Sequence, residues 1–254
     1  MDQALFQYLL RMGDTSLILS HRLSELTGHG PALEEDLAMT NVALDLLGQS
    51  RLWLTLAGEV EGNSRDEDQL AYLRDAPEFR NYLLAERPNT HYGSVIARQF
   101  FFDVWHYFLL KELCASSDER VAAIAEKSIK EVTYHVRRSS DILVRLGDGT
   151  AESHARMQDS VNDAWRFVGE LFLDDEITEA LAERKVAPLH SQLWPAWLDH
   201  VSTTLQESTL ALPNPDDAHH RAHRGGVTGR HTEALGYILA EMQHLQRAYP
   251  GAVW

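Results

Sequence analysis

The segment from residue 91 to 115 is apolar on almost every side, and this constrains the fold more than any other feature of the chain. Its apolar positions are Val95, Ile96, Phe100, Phe101, Phe102, Val104, Trp105, Tyr107, Phe108, Leu109 and Leu110. A helix that is apolar all round is buried all round, so the segment predicts a helix at the centre of a bundle or at a subunit interface. Gln99, Asp103 and His106 recur at helical spacing and form one polar stripe on that helix.

Helical periodicity also dominates the rest of the chain, and no segment alternates as a strand does. The pattern predicts helices near 2–28, 32–60, 76–86, 91–115, 118–146, 153–172, 174–184, 194–211 and 231–248. Residues 213–230, with two prolines and a Gly-Gly pair, are predicted to be irregular, and their role is left open. Because no Pro/Gly/Ser-rich linker divides the sequence, we expect a single all-α domain over residues 1–254.

The net charge and the cysteine content argue against several classes of partner and of cellular compartment. The chain has 23 basic and 38 acidic residues, a formal net charge of −15, which argues against nucleic acid or an anionic membrane as the main partner. The one cysteine, Cys114, excludes an internal disulfide and fits a reducing compartment. No signal pattern is present at the N-terminus, and no apolar run approaches the roughly 20 residues that span a bilayer. We therefore expect a soluble, cytoplasmic protein.

Polar residues with the spacing of a metal-binding ladder occur on three of the predicted helices. They are Asn41, Asp45 and Gln49; Gln99, Asp103 and His106; and Lys127, Glu131 and His135. A bundle that binds two irons uses a Glu from each of two helices and a Glu-x-x-His from each of the other two. Only Asp103-x-x-His106 has that spacing, with Asp in place of Glu, and Gly48 stands where Asp45 would need its histidine. The pattern predicts a ferritin-like helical bundle with additional C-terminal helices, whose metal site has been lost.

The stripe on the buried helix has more than one interpretation. An Asp in such a helix is costly unless it is paired, which favours a buried Asp–His or Asp–Lys network. The alternative is a working metal site built from five residues, which are Asp45, Asp103, His106, Glu131 and His135. Lys127 is left open: it could supply the positive charge that metals would otherwise provide, or it could be solvated. The one strict Glu-x-x-His motif, Glu241 and His244, is interpreted as an exposed or interfacial pair.

Apolar residues outside the stripe suggest where other contacts lie. On the second helix, the residues predicted to supply apolar contacts are Leu37, Leu44, Leu47 and Leu52. Further along, aromatic and leucine side chains exceed what one bundle core obviously requires, and they are Trp165, Phe167, Leu171, Phe172, Trp194 and Trp197. Large obligate interfaces are hydrophobic and rich in aromatic anchors. The second group therefore predicts an interface with another subunit.

Several segments, in order along the whole chain, resemble the non-catalytic C-type subunits of bacterial phenylacetyl-CoA epoxidases, which epoxidise the ring at its 1,2 position. The matching segments are 10–14, 28–31, 41–49, 98–106, 130–135, 165–167, 231–236, 241–243 and 245–247. The closing segments, from 231 onwards, are the most specific. Small departures from the family occur around 90–92 and at His244.

The resemblance implies a subunit of a multicomponent oxygenase in aerobic phenylacetate degradation. In that family the catalytic di-iron subunit epoxidises phenylacetyl-CoA, with electrons from an NADPH-dependent reductase that carries flavin and an iron–sulfur cluster. The C-type subunit holds no cofactor or metal and has no catalytic residue; it supports the catalytic subunit in a hetero-oligomer. It is also implied to contact the CoA part of the substrate, here through Glu78, Phe79, Arg80, Asn81, Glu179, Ala180 and Leu181.

Three functions are consistent with the sequence. The first is the non-catalytic structural subunit that the resemblance implies. The second is a divergent di-metal carboxylate oxidase that acts alone, and the third is a helical binding module with no link to an oxygenase. Subunit stoichiometry and the individual CoA contacts are left open by the sequence.

Overall fold

The computed structural model describes residues 1–220 and 222–252, and within those residues all the regular structure is helical. The α-helices are α1 (Gln3–Ser24), α2 (Leu33–Glu61), α3 (Glu67–Tyr72), α4 (Tyr92–Leu113), α5 (Glu119–Gly147), α6 (Ala151–Val168), α7 (Glu176–Glu183), α8 (Trp194–Glu207), α9 (Pro215–His220), α10 (Glu233–Met242) and α11 (His244–Ala248). Short 3₁₀ turns span Ala76–Glu78, Gly169–Phe172, His190–Leu193 and Gly226–Thr228. The predicted all-α, ferritin-like fold class is confirmed. In the described ranges no helix is long and apolar enough to cross a membrane.

The helix predicted over 76–86 is wrong beyond its first turn. Ala76–Glu78 forms a 3₁₀ turn, and Phe79 is then extended. The backbone N–H groups that follow are satisfied by side chains of α1 instead of by helical carbonyls. Arg80 N donates to Asp14 Oδ2 at 2.8 Å, and Tyr82 N donates to Thr15 Oγ1 at 3.2 Å. The apolar residues of this segment are therefore buried without a helix.

Three further boundaries differ from the prediction. Helix α3 was not predicted; its N-cap is Asp66, whose carboxylate accepts from Gln69 N at 2.8 Å. Residues 213–230 are only partly irregular, since they contain α9 and a 3₁₀ turn; Arg221 lies outside the described residues. The helix predicted over 231–248 breaks at Gln243, whose buried amide donates to Ala71 O and Arg74 O and so fixes the break.

The chain divides into two compact units. The first unit combines residues 1–88 with the chain from Gly225 onwards, and the second unit is Asn89–Arg224. In the first, α1 packs along α2, closely enough that a Cβ on Gly13 would lie 2.6 Å from Leu54 Cδ2, and α10 packs on α1. In the second, α4 is surrounded by α5, α6 and α8. The single domain expected over residues 1–254 stays a prediction.

Aromatic residues fill the core of the second unit around α4. Trp197 Nε1 donates to Phe101 O and Trp105 Nε1 donates to Leu171 O, both at 3.0 Å. Trp165 contacts both Phe101 and Trp197, with ring centroids 5.6 and 5.7 Å apart. The predicted burial of α4 is confirmed for residues 95–106, whereas Tyr107 and Phe108 are half-buried. The prediction that the aromatic group of 165–197 forms a subunit interface is wrong, because all but the half-buried Trp194 are buried within this core.

Candidate functional site

The predicted stripe lies on α4, with Gln99, Asp103 and His106 all buried. Gln99 Nε2 donates to Asp103 Oδ1 at 2.5 Å. Because α4 packs against α5, two buried residues of α5, His135 and Ser139, also act on the Asp103 carboxylate. The carboxylate is therefore held by an amide, a hydroxyl and an imidazole of the same unit.

Burial sets the protonation of this cluster. It raises the pKa of Asp103 to about 6, although the charge of His135 and the polar contacts of Ser139 and Gln99 oppose the rise. Burial also lowers the pKa of His106 to about 3, and the charge of His135 acts in the same direction. At neutral pH, Asp103 is thus mainly a carboxylate and His106 is a neutral imidazole.

His106 packs as an aromatic side chain. Its ring centroid lies 5.0 Å from that of Phe102 and 6.2 Å from that of Trp105, which stacks on it. Among the residues that the structure describes, none hydrogen-bonds to His106 Nδ1. The ring is consequently neutral and is held by apolar contacts, as expected for a residue whose main role is to fill the core.

The residues present do not fit a di-iron centre. Asp45 on α2 and Glu131 on α5 are each only half-buried. Across residues 1–220 and 222–252, no group of three or more His, Cys, Asp or Glu side chains is placed to hold a metal ion. Two irons in such a bundle need four carboxylates and two imidazoles. That the stripe is the remnant of a metal site stays a prediction.

Two of the open questions about polar residues have structural answers. Lys127 is exposed on α5, which favours the solvated alternative over a role inside the buried stripe. Glu241 and His244 are both exposed and lie on different helices, α10 and α11, on either side of Gln243. The predicted exposure of Glu241 and His244 is confirmed.

Residues 78–81, predicted to contact CoA, are not a surface helix. Glu78 is exposed, and its carboxylate accepts from Asp75 N at 2.8 Å, whereas Phe79 and Asn81 are fully buried. Arg80 is half-buried. Its guanidinium donates to Gln7 Oε1 at 3.1 Å and to the carbonyl oxygens of residues 77 and 79 at 2.7 Å each. Burial lowers the pKa of Arg80, and the carboxylate of Asp14 opposes that change.

The second predicted CoA segment lies on α7. Glu179 is exposed, Ala180 is half-buried and Leu181 is fully buried. The helix begins at Asp175, whose carboxylate accepts from the N–H groups of Ile177 and Thr178 at 3.1 Å. This segment belongs to the second unit, whereas 78–81 belongs to the first.

Sequence reasoning missed a buried charge cluster that fixes residues 74–86. Asp14 is completely buried and accepts from Arg74 Nη1 at 3.0 Å, while the Arg74 guanidinium carbon lies 4.4 Å from the centre of the Phe79 ring. Asn81 Nδ2 donates to Glu86 Oε2 at 3.1 Å. This cluster takes the place of a helix in shaping the segment.

The cluster is completed by the C-terminal part of the chain. His231 donates from Nδ1 to Glu86 Oε2 and from Nε2 to Phe79 O, both at 3.1 Å, and Thr232 N donates to Glu86 Oε1 at 2.7 Å. Both ring nitrogens of His231 therefore face an oxygen acceptor. Glu86 and His231 are 145 residues apart, so spacing could not pair them. In the sequence, the one indication that His231 matters was its position in the family-specific segment 231–236.

A separate cavity of about 880 Å³ lies between α4, α5 and α8 of the second unit. The residues that line it include Tyr107, Phe108, Arg137, Asp199 and His200. Burial lowers the pKa of His200. None of the residues predicted to bind metal or CoA lines it.

Comparison with known proteins agrees with the resemblance found in the sequence. The model of the family described as phenylacetic acid catabolic protein matches residues 1–254. The C subunit of the 1,2-phenylacetyl-CoA epoxidase of Escherichia coli (strain K12) is 48% identical over 248 residues. The match covers 97% of this chain and 98% of that protein. The chain therefore belongs to the phenylacetic acid catabolic protein family.

Proposed function

We propose that this chain is the non-catalytic structural subunit of a multicomponent phenylacetyl-CoA epoxidase. Its place in that complex is supported by the E. coli relative, an epoxidase subunit that aligns over nearly the whole of both chains. In this role the chain binds and supports a catalytic di-iron subunit as part of a hetero-oligomer. The iron belongs to that partner, and the NADPH, flavin and iron–sulfur chemistry belongs to a separate reductase.

The structural role is supported chiefly by the state of the buried stripe. In a di-iron bundle the positive charge of the metals offsets several buried carboxylates. Here Asp103 is the one fully buried carboxylate of the stripe, and Gln99 donates to it at 2.5 Å. His106 is neutral and packed between aromatic rings. A helix pair stabilised in this way folds without metal, which suits a scaffold and leaves the chain without an oxygen-activating centre.

Contact with the CoA part of the substrate belongs to the same proposal. Arg80 is the only cation among the seven residues implied by the family resemblance, and arginine is well suited to phosphate because its planar fork donates two parallel hydrogen bonds. Its backbone is held by Asp14, which accepts from Arg80 N at 2.8 Å. Phe79 and Asn81 in the first unit and Leu181 in the second are buried, so each supports the backbone of its own segment.

Reconstitution with the di-iron subunit of the same organism tests the proposal. We expect the two proteins to co-elute in size-exclusion chromatography, and epoxidase activity and iron to depend on the partner. Asp103→Asn provides a control, because it removes a potential metal ligand while its amide oxygen can still accept from Gln99, so activity of the complex should be unchanged. Turnover by this chain alone, with two tightly bound irons, would instead support the di-metal oxidase.

A further inference from the structure

Helix α2 presents leucines to solvent along one side. Leu33, Leu37, Leu44 and Leu47, which we call the leucine face, have exposed fractions of 69%, 55%, 60% and 40%. With Thr40 between them, these positions are separated by four, three, four and three residues. That is the spacing of the a and d positions of a heptad repeat, which pack against another helix. Leu37, Leu44 and Leu47, which were predicted to supply apolar contacts, are thus outside the core of the first unit.

The leucine face is not part of the core of the first unit. The opposite side of α2, which includes Val42, Leu46 and Trp53, is fully buried. An amphipathic helix normally has one apolar side, and the other is polar. Since α2 has a second apolar side that remains exposed, that side is typical of a surface which another protein covers.

Gly48 makes a recess beside Leu44 and Leu47, at the C-terminal end of the leucine face. It is exposed, its backbone is helical, and a Cβ placed on it would have no heavy atom within 4 Å among those described. Glycine weakens a helix interior, so the position is unexplained by α2 itself. Beside it lies a cavity of about 560 Å³, lined in part by Leu44, Leu47 and Tyr72. The missing side chain leaves room for a large apolar residue from outside.

The border of the leucine face is acidic. On α2 it carries Glu34 and Asp45, and at the start of α3 the chain has three consecutive acidic residues, 66–68. Arg51 is the basic residue at this border, and it pairs with Glu67 at 3.1 Å. A second copy of the chain, whose own net charge is −15, would bring acidic borders together. Charge complementarity instead favours a partner helix with Lys or Arg beside its apolar ridge.

We infer that the leucine face of α2 is the docking surface for a basic, amphipathic helix of the partner subunit, with one large apolar side chain of that helix seated over Gly48. This inference rests on the proposed function, which supplies the partner. It assigns the contact to α2 of the first unit and not to the aromatic residues around α4. The helix-in-groove mode of recognition has the same chemistry: apolar anchors at helical spacing with charges at the rim.

Gly48→Leu tests the recess directly, because it fills the space without removing a contact. Gly236→Leu is the matched control: Gly236 is exposed on α10, and a Cβ there also has no described heavy atom within 4 Å. Both variants should keep or raise the melting temperature of the isolated chain, since leucine favours a helix more than glycine does. Titration with the purified di-iron subunit should show Kd raised by roughly 30-fold or more for Gly48→Leu, the size of a hot-spot loss, and unchanged for Gly236→Leu.

Charge reversal tests the chemistry of the occupant. Glu34→Lys and Asp68→Lys should slow association with the di-iron subunit and weaken its dependence on salt. Normal affinity of Gly48→Leu, with a wild-type complex that forms, would overturn the docking surface and leave the proposed function standing. Failure of the wild-type chain to bind would overturn both. A wild-type dimer that Gly48→Leu converts to monomer, with partner affinity unchanged, would assign the face to a second copy and overturn the inference.

Discussion

His231 Nδ1 lies 3.1 Å from Glu86 Oε2, and both side chains are buried. The other ring nitrogen of His231 donates to Phe79 O, while Thr232 N donates to the second oxygen of the same carboxylate. A residue near the C-terminus thus completes a charge cluster that fixes the backbone around residues 79–86. Buried pairs of this kind are strongly destabilising to break, because the remaining charge is left without a partner.

Glu86→Ala should therefore lower the free energy of unfolding by about 3–5 kcal/mol. Glu152→Ala is the control, since the Glu152–Arg156 pair spans one turn of α6 and both side chains are exposed; its cost should be at most ~1 kcal/mol. Urea denaturation followed by circular dichroism measures both. Equal, small losses for the two variants would show that the buried pair contributes no more than a surface pair.

Asp103→Asn should become more stable relative to wild type as the pH rises. The pKa of Asp103 is raised in the folded state to about 6, from an ordinary value of 3.8. Protonation of Asp103 therefore stabilises the folded state relative to the unfolded state. This stabilisation is fully present below about pH 4 and is lost as the pH rises through 6. Asparagine does not ionise, so the difference in unfolding free energy, variant minus wild type, should increase by about 2.5 kcal/mol between pH 4 and pH 7. Urea titrations at four pH values measure it, and a pH-independent difference would contradict a buried, ionisable Asp103.

The isolated chain should hold less than one iron after anaerobic loading with ferrous salt, as measured by metal analysis after gel filtration. The reason is the ligand set: Asp103 and His106 lie on α4, but four carboxylates and two imidazoles are required for two irons. The purified di-iron subunit, loaded in parallel, is the control. Two bound irons with an oxo-bridge absorption band would contradict this prediction.

Arg80→Lys should raise the KM for phenylacetyl-CoA about tenfold in the reconstituted complex, with kcat little changed. Lysine retains the charge but cannot make the two parallel hydrogen bonds to phosphate that arginine makes. Arg145→Lys, an exposed residue of α5 paired with Asp141, is the matched control and should leave KM unchanged. Steady-state kinetics with each complex decides the question, and an unchanged KM for Arg80→Lys would remove the guanidinium from the CoA contact.

Local patterns in the sequence were sufficient wherever the structure depends on neighbours along the chain. The all-round apolar pattern of residues 91–115 predicted the burial of α4, and helical spacing placed Gln99 and Asp103 one turn apart. Residues 79–86 have an equally helical pattern, yet their backbone is held by Asp14, Thr15 and His231, which are distant in sequence. Such contacts leave no periodic signal.

The leucine face shows a second limit of what hydrophobic periodicity can predict. Leu44 and Leu46 are both apolar residues of one helix, but the first is 60% exposed and the second is fully buried. Periodicity identifies that a side of a helix is apolar. It does not distinguish a side that packs within the chain from one that packs against another protein, because the same physical force drives both.

The division of the chain into two units sets the order in which a ribosome can complete them. Residues 89–224 leave the exit tunnel before the segment that begins at residue 225 does, so the second unit is able to fold first. Until His231 and Thr232 leave the exit tunnel, the Glu86 carboxylate has neither of these partners. Residues 1–88 are thus translated before the second unit, but their fold is completed after it. A premature stop before residue 231 would leave Glu86 without these two partners.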